Sequence, residues 1–204
     1  MKISGKTVMG AMLLALLSAG AAAAASQFPP GWGGGSHWPK DYDFGAVPVE
    51  GAHDKAAYIR AHANAAHNGY FIMTQCIDAE SSRGQRLRLS GRLRTVSASA
   101  GQLWMQVYRG RFALTSDMMY DRQLKGSSDW QRREIVLNVP ADSTRVCYGF
   151  LLNGGEGEVW ADDLVIEKVG FTVPTTTTFI GPVINWGGGL YSLSHGGLGR
   201  MDDR

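Results

Sequence analysis

Hydrophobic and polar positions alternate through the middle of the chain with a period of two residues. In residues 86–95, Leu87, Leu89 and Leu93 alternate with arginine and serine side chains. This alternation is typical of a β-strand that buries one face. Further strands are predicted at residues 57–61, 70–79, 102–108, 130–139, 145–152 and 159–169, with turn residues between them. The pattern predicts an all-β fold, a β-sandwich of the jelly-roll type.

The two ends of the chain have a different composition from the middle. Residues 1–25 carry Lys2 and Lys6, then an apolar stretch, then a run of alanines. This order predicts a signal peptide, a secreted or periplasmic protein and no stable membrane span. Residues 26–40 are predicted to be an extended lead-in, 41–170 the β-sandwich domain, and 171–204 a Thr/Gly-rich tail. Glycines concentrate in both flanks, which predicts flexible Gly-rich ends.

The charge balance argues against a nucleic-acid partner. The full chain has 20 basic and 18 acidic residues, and removal of Lys2 and Lys6 with the leader leaves 18 of each. A near-neutral mature chain lacks the basic footprint of nucleic-acid-binding proteins. The sequence leaves the oligomeric state open.

Two cysteines, Cys76 and Cys147, lie within predicted strands. An exported chain meets an oxidising compartment, in which a pair of thiols tends to close into a disulfide. The alternative is that both are buried free thiols, which behave as small hydrophobic side chains.

The order of short motifs resembles a bacterial family of small jelly-roll domains, similar to galactose-binding-like folds and carbohydrate-binding modules. The matching segments are AAYIR (56–60), TQCIDA (74–79), RLRLSGRLRT (86–95), LWMQV (103–107), DMMYDR (117–122), GSSDWQRREIVLNVP (126–140) and FLLNGGEGEVWADDL (150–164). The resemblance covers about 120 residues and implies the same fold, but fold alone does not set function. The chain departs from the family at Gln106, where an arginine is common, and at both cysteines.

One predicted strand carries the residues expected to bind a ligand. Trp104, Gln106 and Tyr108 share one face of it, and aromatic rings with an amide between them suit the apolar faces and hydroxyl groups of sugars. Asp117, Asp121 and Arg122 are expected to form the rim of this surface. The alternative is that Trp104 is a core residue. A solvent-facing Trp104 beside Tyr108 would favour sugar binding, whereas a buried one would leave only a scaffold.

A structural calcium ion is a second expectation, implied by the resemblance to carbohydrate-binding modules. Asp162 and Asp163 lie in the last strand of the domain, where an acid of similar modules often holds Ca²⁺. Calcium takes six to eight oxygen ligands, so an acid such as Asp43 or Glu50 would have to join. The alternative is that the pair is solvated or caps backbone amides. No other cofactor is predicted.

The sequence predicts a secreted non-catalytic domain that binds carbohydrate or a cell-envelope glycan. No nucleophile elbow and no histidine spacing typical of a metal site is present in the sequence. The chain is therefore not expected to be an enzyme, and a glycan hydrolase or lyase is the weakest alternative. The stronger alternative is a structural or partner-binding envelope protein that uses its Gly-rich tail.

Overall fold

The computed structural model describes residues 26–176, together with the backbone of 192–194 and 197–199. Nine antiparallel strands curl into two facing layers. They are β1 (Gly33–Gly35), β2 (Tyr42–Val47), β3 (Ala56–Ala61), β4 (Tyr70–Asp78), β5 (Arg86–Arg109), β6 (Phe112–Asp117), β7 (Leu124–Asn138), β8 (Arg145–Asn153) and β9 (Glu158–Val169). β10 (Ser192–Ser194) and β11 (Gly197–Gly199) form a separate two-stranded ladder. The predicted signal peptide and most of the predicted tail lie outside the described residues.

The 24-residue strand β5 belongs to both layers. Its first part pairs with β7 and β9, and with β3 and β2 beyond β9 these strands form sheet one. Its second part pairs with β6 and β8, and with β4 and β1 these form sheet two. The register with β7 shifts three times between Leu93 and Gly101, where the strand turns from one layer into the other. Bulges bend and twist a strand, so this segment curls the sheet.

Gly101 is required at this corner. A Cβ atom on it would lie 2.7 Å from the Thr95 Cγ2 atom and 2.9 Å from the Val159 Cγ2 atom. Two layers can approach this closely only where one side chain is missing.

The main core lies between the two layers, as the alternation predicts. Leu87, Leu89 and Leu93 contribute from the first part of β5, and Leu103, Met105 and Val107 from the second part. All are at most 3% exposed. Both sheets therefore bury one face of each strand, which confirms the predicted all-β jelly-roll sandwich.

Two segments in which no strand was predicted carry strands of the sheets. The lead-in contains β1, and its Phe28 ring stacks on Phe44 with 4.3 Å between the ring centroids. Residues 109–128, which lie between two predicted strands, contain β6 and the start of β7. Glycine and polar residues mark turns only as a tendency, and pairing with a neighbouring strand outweighs it.

The predicted disulfide is confirmed. Cys76 on β4 and Cys147 on β8 lie directly opposite each other, with 4.1 Å between their Cα atoms. The bond joins two adjacent strands of sheet two across 71 residues of sequence. No helix in the described ranges has the length and apolar character needed to cross a bilayer.

Replacing both cysteines, Cys76→Ala with Cys147→Ala, should lower the free energy of unfolding by about 2–4 kcal/mol, because the open chain gains conformational entropy. Urea unfolding followed by fluorescence measures the loss. The wild-type protein under reducing conditions should show a similar loss. An unchanged unfolding midpoint in both experiments would mean that strand pairing alone holds this part of the sheet.

Candidate functional site

The candidate site is the side of sheet two that faces away from the main core, which we call the Trp104 face. Its centre consists of Trp104, Tyr108, Cys147 and Leu151, which form a small cluster separate from the main core. Ile72, Ala113 and Met118 pack against this cluster and are half-buried. The strands β4, β8, β5 and β6 therefore present one continuous surface that combines apolar and polar side chains.

Trp104 is part of the scaffold of this face and not an exposed platform. Its side chain is 1% exposed, and its Nε1 atom donates a hydrogen bond to the Met73 carbonyl oxygen at 3.1 Å. The indole reaches β4 by passing over Gly149 on β8, where a Cβ atom would lie 2.1 Å from the same carbonyl oxygen. Of the two alternatives for Trp104, the structure shows the core residue, because the glycine opens a space on the sheet that the indole fills.

Gln106 and Tyr108 do share this face with Trp104, as predicted, and they form a polar network. The Tyr108 hydroxyl group donates to Gln106 Oε1, and Gln106 Nε2 donates to the Ser116 hydroxyl group at 3.0 Å. Burial raises the pKa of Tyr108 to about 12, while Arg145 acts in the opposite direction. The Tyr108 hydroxyl group therefore stays a hydrogen-bond donor at neutral pH, and it holds the amide of the half-buried Gln106 in one orientation.

Two buried polar atoms on this face lack a hydrogen-bond partner among the described residues. They are Gln102 Oε1 and Arg145 Nε. Gln102 is fully buried and donates its Nε2 to the Met118 carbonyl oxygen. A buried polar atom that makes no hydrogen bond lowers the stability of the fold. The presence of such an atom therefore indicates a role other than folding.

The two ends of the Trp104 face differ in their side chains, with aromatic rings at one end and an arginine at the other. At one end Tyr70 begins β4, and the His37 ring meets its ring edge-on at 5.9 Å. Trp38 follows His37 and is 42% exposed. At the other end Arg145 begins β8, and its guanidinium carbon lies 4.7 Å from the centroid of the Tyr108 ring.

Asp117, Asp121 and Arg122 come together but do not complete this surface. Arg122 bridges the two carboxylates at 2.5 and 2.7 Å. Asp117 lies opposite Met105, whose side chain belongs to the main core, so Asp117 and Trp104 point to opposite sides of sheet two. Asp117 also accepts hydrogen bonds from the Met119 amide and the Thr176 hydroxyl group. Asp117 of the predicted rim is thus a buried anchor for the turn after β6 and for the start of the tail, while Asp121 is exposed.

Asp162 and Asp163 lie side by side, but their surroundings do not suit a calcium ion. Arg92 Nη2 donates to Asp162 Oδ2 at 2.6 Å, and Arg92 Nε lies 3.2 Å from Asp163 Oδ2. His53 Nδ1, 2.9 Å from Asp163, completes a trio whose ligand atoms lie within 4.8 Å of one another. The guanidinium group already neutralises both carboxylates, so a cation there would meet a positive charge and few oxygens. Asp43, one of the other expected ligands, lies elsewhere and pairs with His62 at 3.2 Å.

The outward side of sheet one is closed by its own contacts. Ion pairs join Arg60 to Glu158 at 2.7 Å and Arg88 to Glu167 at 2.8 Å. The segment 48–55 packs over Trp160 and Trp130, and Trp130 Nε1 donates to the Glu50 carbonyl oxygen at 3.3 Å. Of the arginines that alternate with leucine along β5, Arg88 and Arg92 are thus paired with acids of the neighbouring strand β9. The centre of the outward side of sheet two is also buried, and the half-buried Ile72, Gln106 and Met118 surround it.

Sequence reasoning missed Tyr70, Gln102 and Arg145 as members of this face, and it also missed the exposed Trp38, which follows His37 at the Tyr70 end. Alternation along β8 does place Arg145 on the same side as Cys147. The sequence does not give the register that sets Arg145 opposite Tyr108. This register depends on pairing between strands about 40 residues apart.

No family model matches the chain. One relative from Bacillus subtilis (strain 168), an uncharacterized HTH-type transcriptional regulator called YbfP, is 33% identical over 146 residues. The match covers 70% of this chain and 48% of the regulator, so the chain spans about half the length of this relative.

Solved structures with a similar fold have low sequence identity. The enzymatically active domain of bacteriophage CBA120 tailspike protein 4 superimposes with a TM-score of 0.54 and 12% identity, covering 69% of this chain and 20% of that one. A carbohydrate-binding module of family 4 gives 0.49 and 16% (68% and 86% coverage), and a Stig cyclase from Fischerella sp. TAU gives 0.49 and 14% (71% and 88% coverage). The tailspike likeness supports the fold alone, and such a fold carries several unrelated functions.

The Asp162 carboxylate should make the stability of the protein depend on acidic pH. Burial raises its pKa, but hydrogen bonds from Arg92 and from the amides of His53 and Asp163 outweigh burial and leave the pKa below the usual value. A lowered pKa stabilises the folded state above the unfolded-state pKa of about 3.9, and this gain is lost as the pH falls through the folded-state value. Asp162→Asn should therefore lower the unfolding free energy at pH 7, and the difference should shrink below pH 4.

Urea unfolding at pH 7, 5 and 3 measures this difference, with Asp54→Asn as the control. Asp54 is an exposed acid of the same segment and should change little at any pH. A constant difference for Asp162→Asn across this pH range would contradict the assignment.

Proposed function

We propose that the protein is a non-catalytic domain that binds a glycan chain along the Trp104 face. The supporting observation is that this face combines a rigid aromatic floor with polar groups whose hydrogen-bonding capacity is unfilled. The half-buried Arg145 has no ion pair and its Nε atom makes no hydrogen bond within the described residues, whereas the unpartnered Oε1 atom of Gln102 is fully buried and beyond the reach of a ligand. The hydroxyl groups of a sugar both donate and accept hydrogen bonds, so they can serve an amide such as that of Gln106 and a guanidinium group together.

The buried position of Trp104 changes how such a face would bind sugar. In this proposal the rings that stack on the sugar are those of the exposed Trp38 and of Tyr70, at one end of the face. Trp104 and Tyr108 support the polar groups from beneath. Strand β8 spans nine residues, about 27 Å at the usual rise per residue, which suits an extended chain more than a single sugar.

The remaining parts of the proposal follow from the same features. The disulfide fits an oxidising compartment, which supports a secreted or periplasmic location. The absence of a reaction signature in the sequence supports a binding role over turnover, and neither glycan hydrolysis nor glycan elimination is proposed.

Removing the stacking ring should weaken glycan binding without unfolding the protein. Trp38→Ala deletes an exposed ring, so we expect a loss of about tenfold or more in affinity and little change in melting temperature. Isothermal titration against a panel of plant, algal and bacterial glycans measures binding. Phe171→Ala is the matched control, because Phe171 is an exposed aromatic residue outside the Trp104 face.

Two outcomes would contradict this proposal. One is that the folded wild-type protein binds no glycan of the panel. The other is that Trp38→Ala and Phe171→Ala bind with the same affinity as the wild-type protein.

Shortening the chain tests the alternative of a binding protein that uses its tail. A chain that ends at Thr176 keeps the hydrogen bonds of Thr176 to Val136 and Asp117. We expect it to bind the glycan with unchanged affinity, since the Trp104 face lies wholly before this point. Loss of binding in a chain with an unchanged melting temperature would assign the ligand to the tail.

A further inference from the structure

Arg145 is a half-buried arginine at one end of the Trp104 face. Its Nε atom is buried without a hydrogen-bond partner, and no carboxylate of the described residues lies within ion-pair distance of it. Asp78 is directly opposite on β4, but its carboxylate accepts the Glu80 amide at 2.6 Å. By contrast, acidic side chains pair with Arg60, Arg88, Arg92, Arg109 and Arg122.

The surroundings of Arg145 hold its guanidinium group in place. It lies over the Tyr108 ring, and the Tyr108 hydroxyl group is fixed by Gln106. Contact with the face of an aromatic ring favours a cation and restricts the long arginine side chain. A half-buried cation without a counter-ion has lost part of its hydration and gained no ion pair in return.

A planar anion would supply the missing partner. The guanidinium group offers parallel N–H donors that match the two oxygens of a carboxylate. The half-buried Gln106 amide is the neighbouring polar group on the same face, suited to a hydroxyl group rather than a second charge. One cation beside neutral hydrogen-bonding groups favours a ligand with one carboxylate per sugar and free hydroxyl groups around it.

We propose that Arg145 makes the Trp104 face selective for acidic glycans, those with uronic-acid residues whose carboxylate binds the Arg145 guanidinium group. This proposal rests on the glycan-binding function of the same face. The register sets Arg145 opposite Tyr108 and Cys147 opposite Gln106, so Arg145 and Gln106 lie on the same face of neighbouring strands.

Matched pairs of oligosaccharides test the proposal: oligogalacturonate with oligogalactose of the same linkage, and oligoglucuronate with the corresponding oligoglucose. Affinities are measured by isothermal titration at 150 mM salt with the full chain. We expect the uronate member of at least one pair to bind about 10- to 100-fold more tightly, the range of a charged hydrogen bond. Arg145→Gln should remove this preference, while Arg145→Lys should retain part of it.

Arg94→Gln is the matched control. Arg94 is a half-buried arginine that faces outward on sheet one, and its replacement should leave the preference unchanged. Melting temperatures show whether each variant is folded. If Arg145→Gln does not fold, Arg145→Lys decides, because lysine retains the charge but loses the planar pair of donors. A reduced preference for the uronate then supports the role of Arg145, and an unchanged preference overturns it.

The outcomes separate this proposal from the proposed function. Equal binding of acidic and neutral members, or a preference that survives Arg145→Gln, would overturn the role of Arg145 and leave glycan binding intact. Competition by dextran sulfate as strong as that by the uronate would show a general anion site and would also overturn it. If no member of any pair, and no glycan of the wider panel, binds the folded protein, the proposed function itself fails.

Discussion

The structure depends on one strand that serves two layers. β5 carries leucine and methionine side chains into the core along its whole length, and it changes partners between Leu93 and Gly101. Hydrophobic burial on one side of each layer is the main source of stability in such a fold. The bulged corner brings both layers onto the same core, and Gly101 makes their close approach there sterically possible.

The two outward surfaces of this sandwich are used differently. On sheet one, charges are paired and the segment 48–55 covers the tryptophans. On sheet two, Trp104 fills the space above Gly149, and polar groups beside it are left without partners among the described residues. Arg92 Nε on sheet one also makes no hydrogen bond, but it lies 3.2 Å from the Asp163 carboxylate, whereas no acid in the described part of the chain pairs with Arg145. Unpaired polar groups lower stability, and this is the ground for the ligand surface proposed on sheet two.

The same reasoning explains why the acidic residues predicted as functional are structural. Asp117 and Asp162 are both buried, and each holds an arginine together with backbone amides. A buried carboxylate satisfied by several donors fixes local backbone geometry. Such a group has little capacity left for a metal ion or a sugar, whereas Arg145 retains its capacity.

The sequence by itself determined the layers of this protein, because alternation with a period of two reveals which side of a strand is buried. It also placed Trp104, Gln106 and Tyr108 on one side of one strand, and both cysteines in strands. Only the tertiary structure decided which of these side chains are covered. Trp104 is buried because Gly149 of another strand lies beneath it, and Arg145 meets Tyr108 because of the register between β5 and β8. Both depend on pairing between distant segments, which local sequence patterns do not encode.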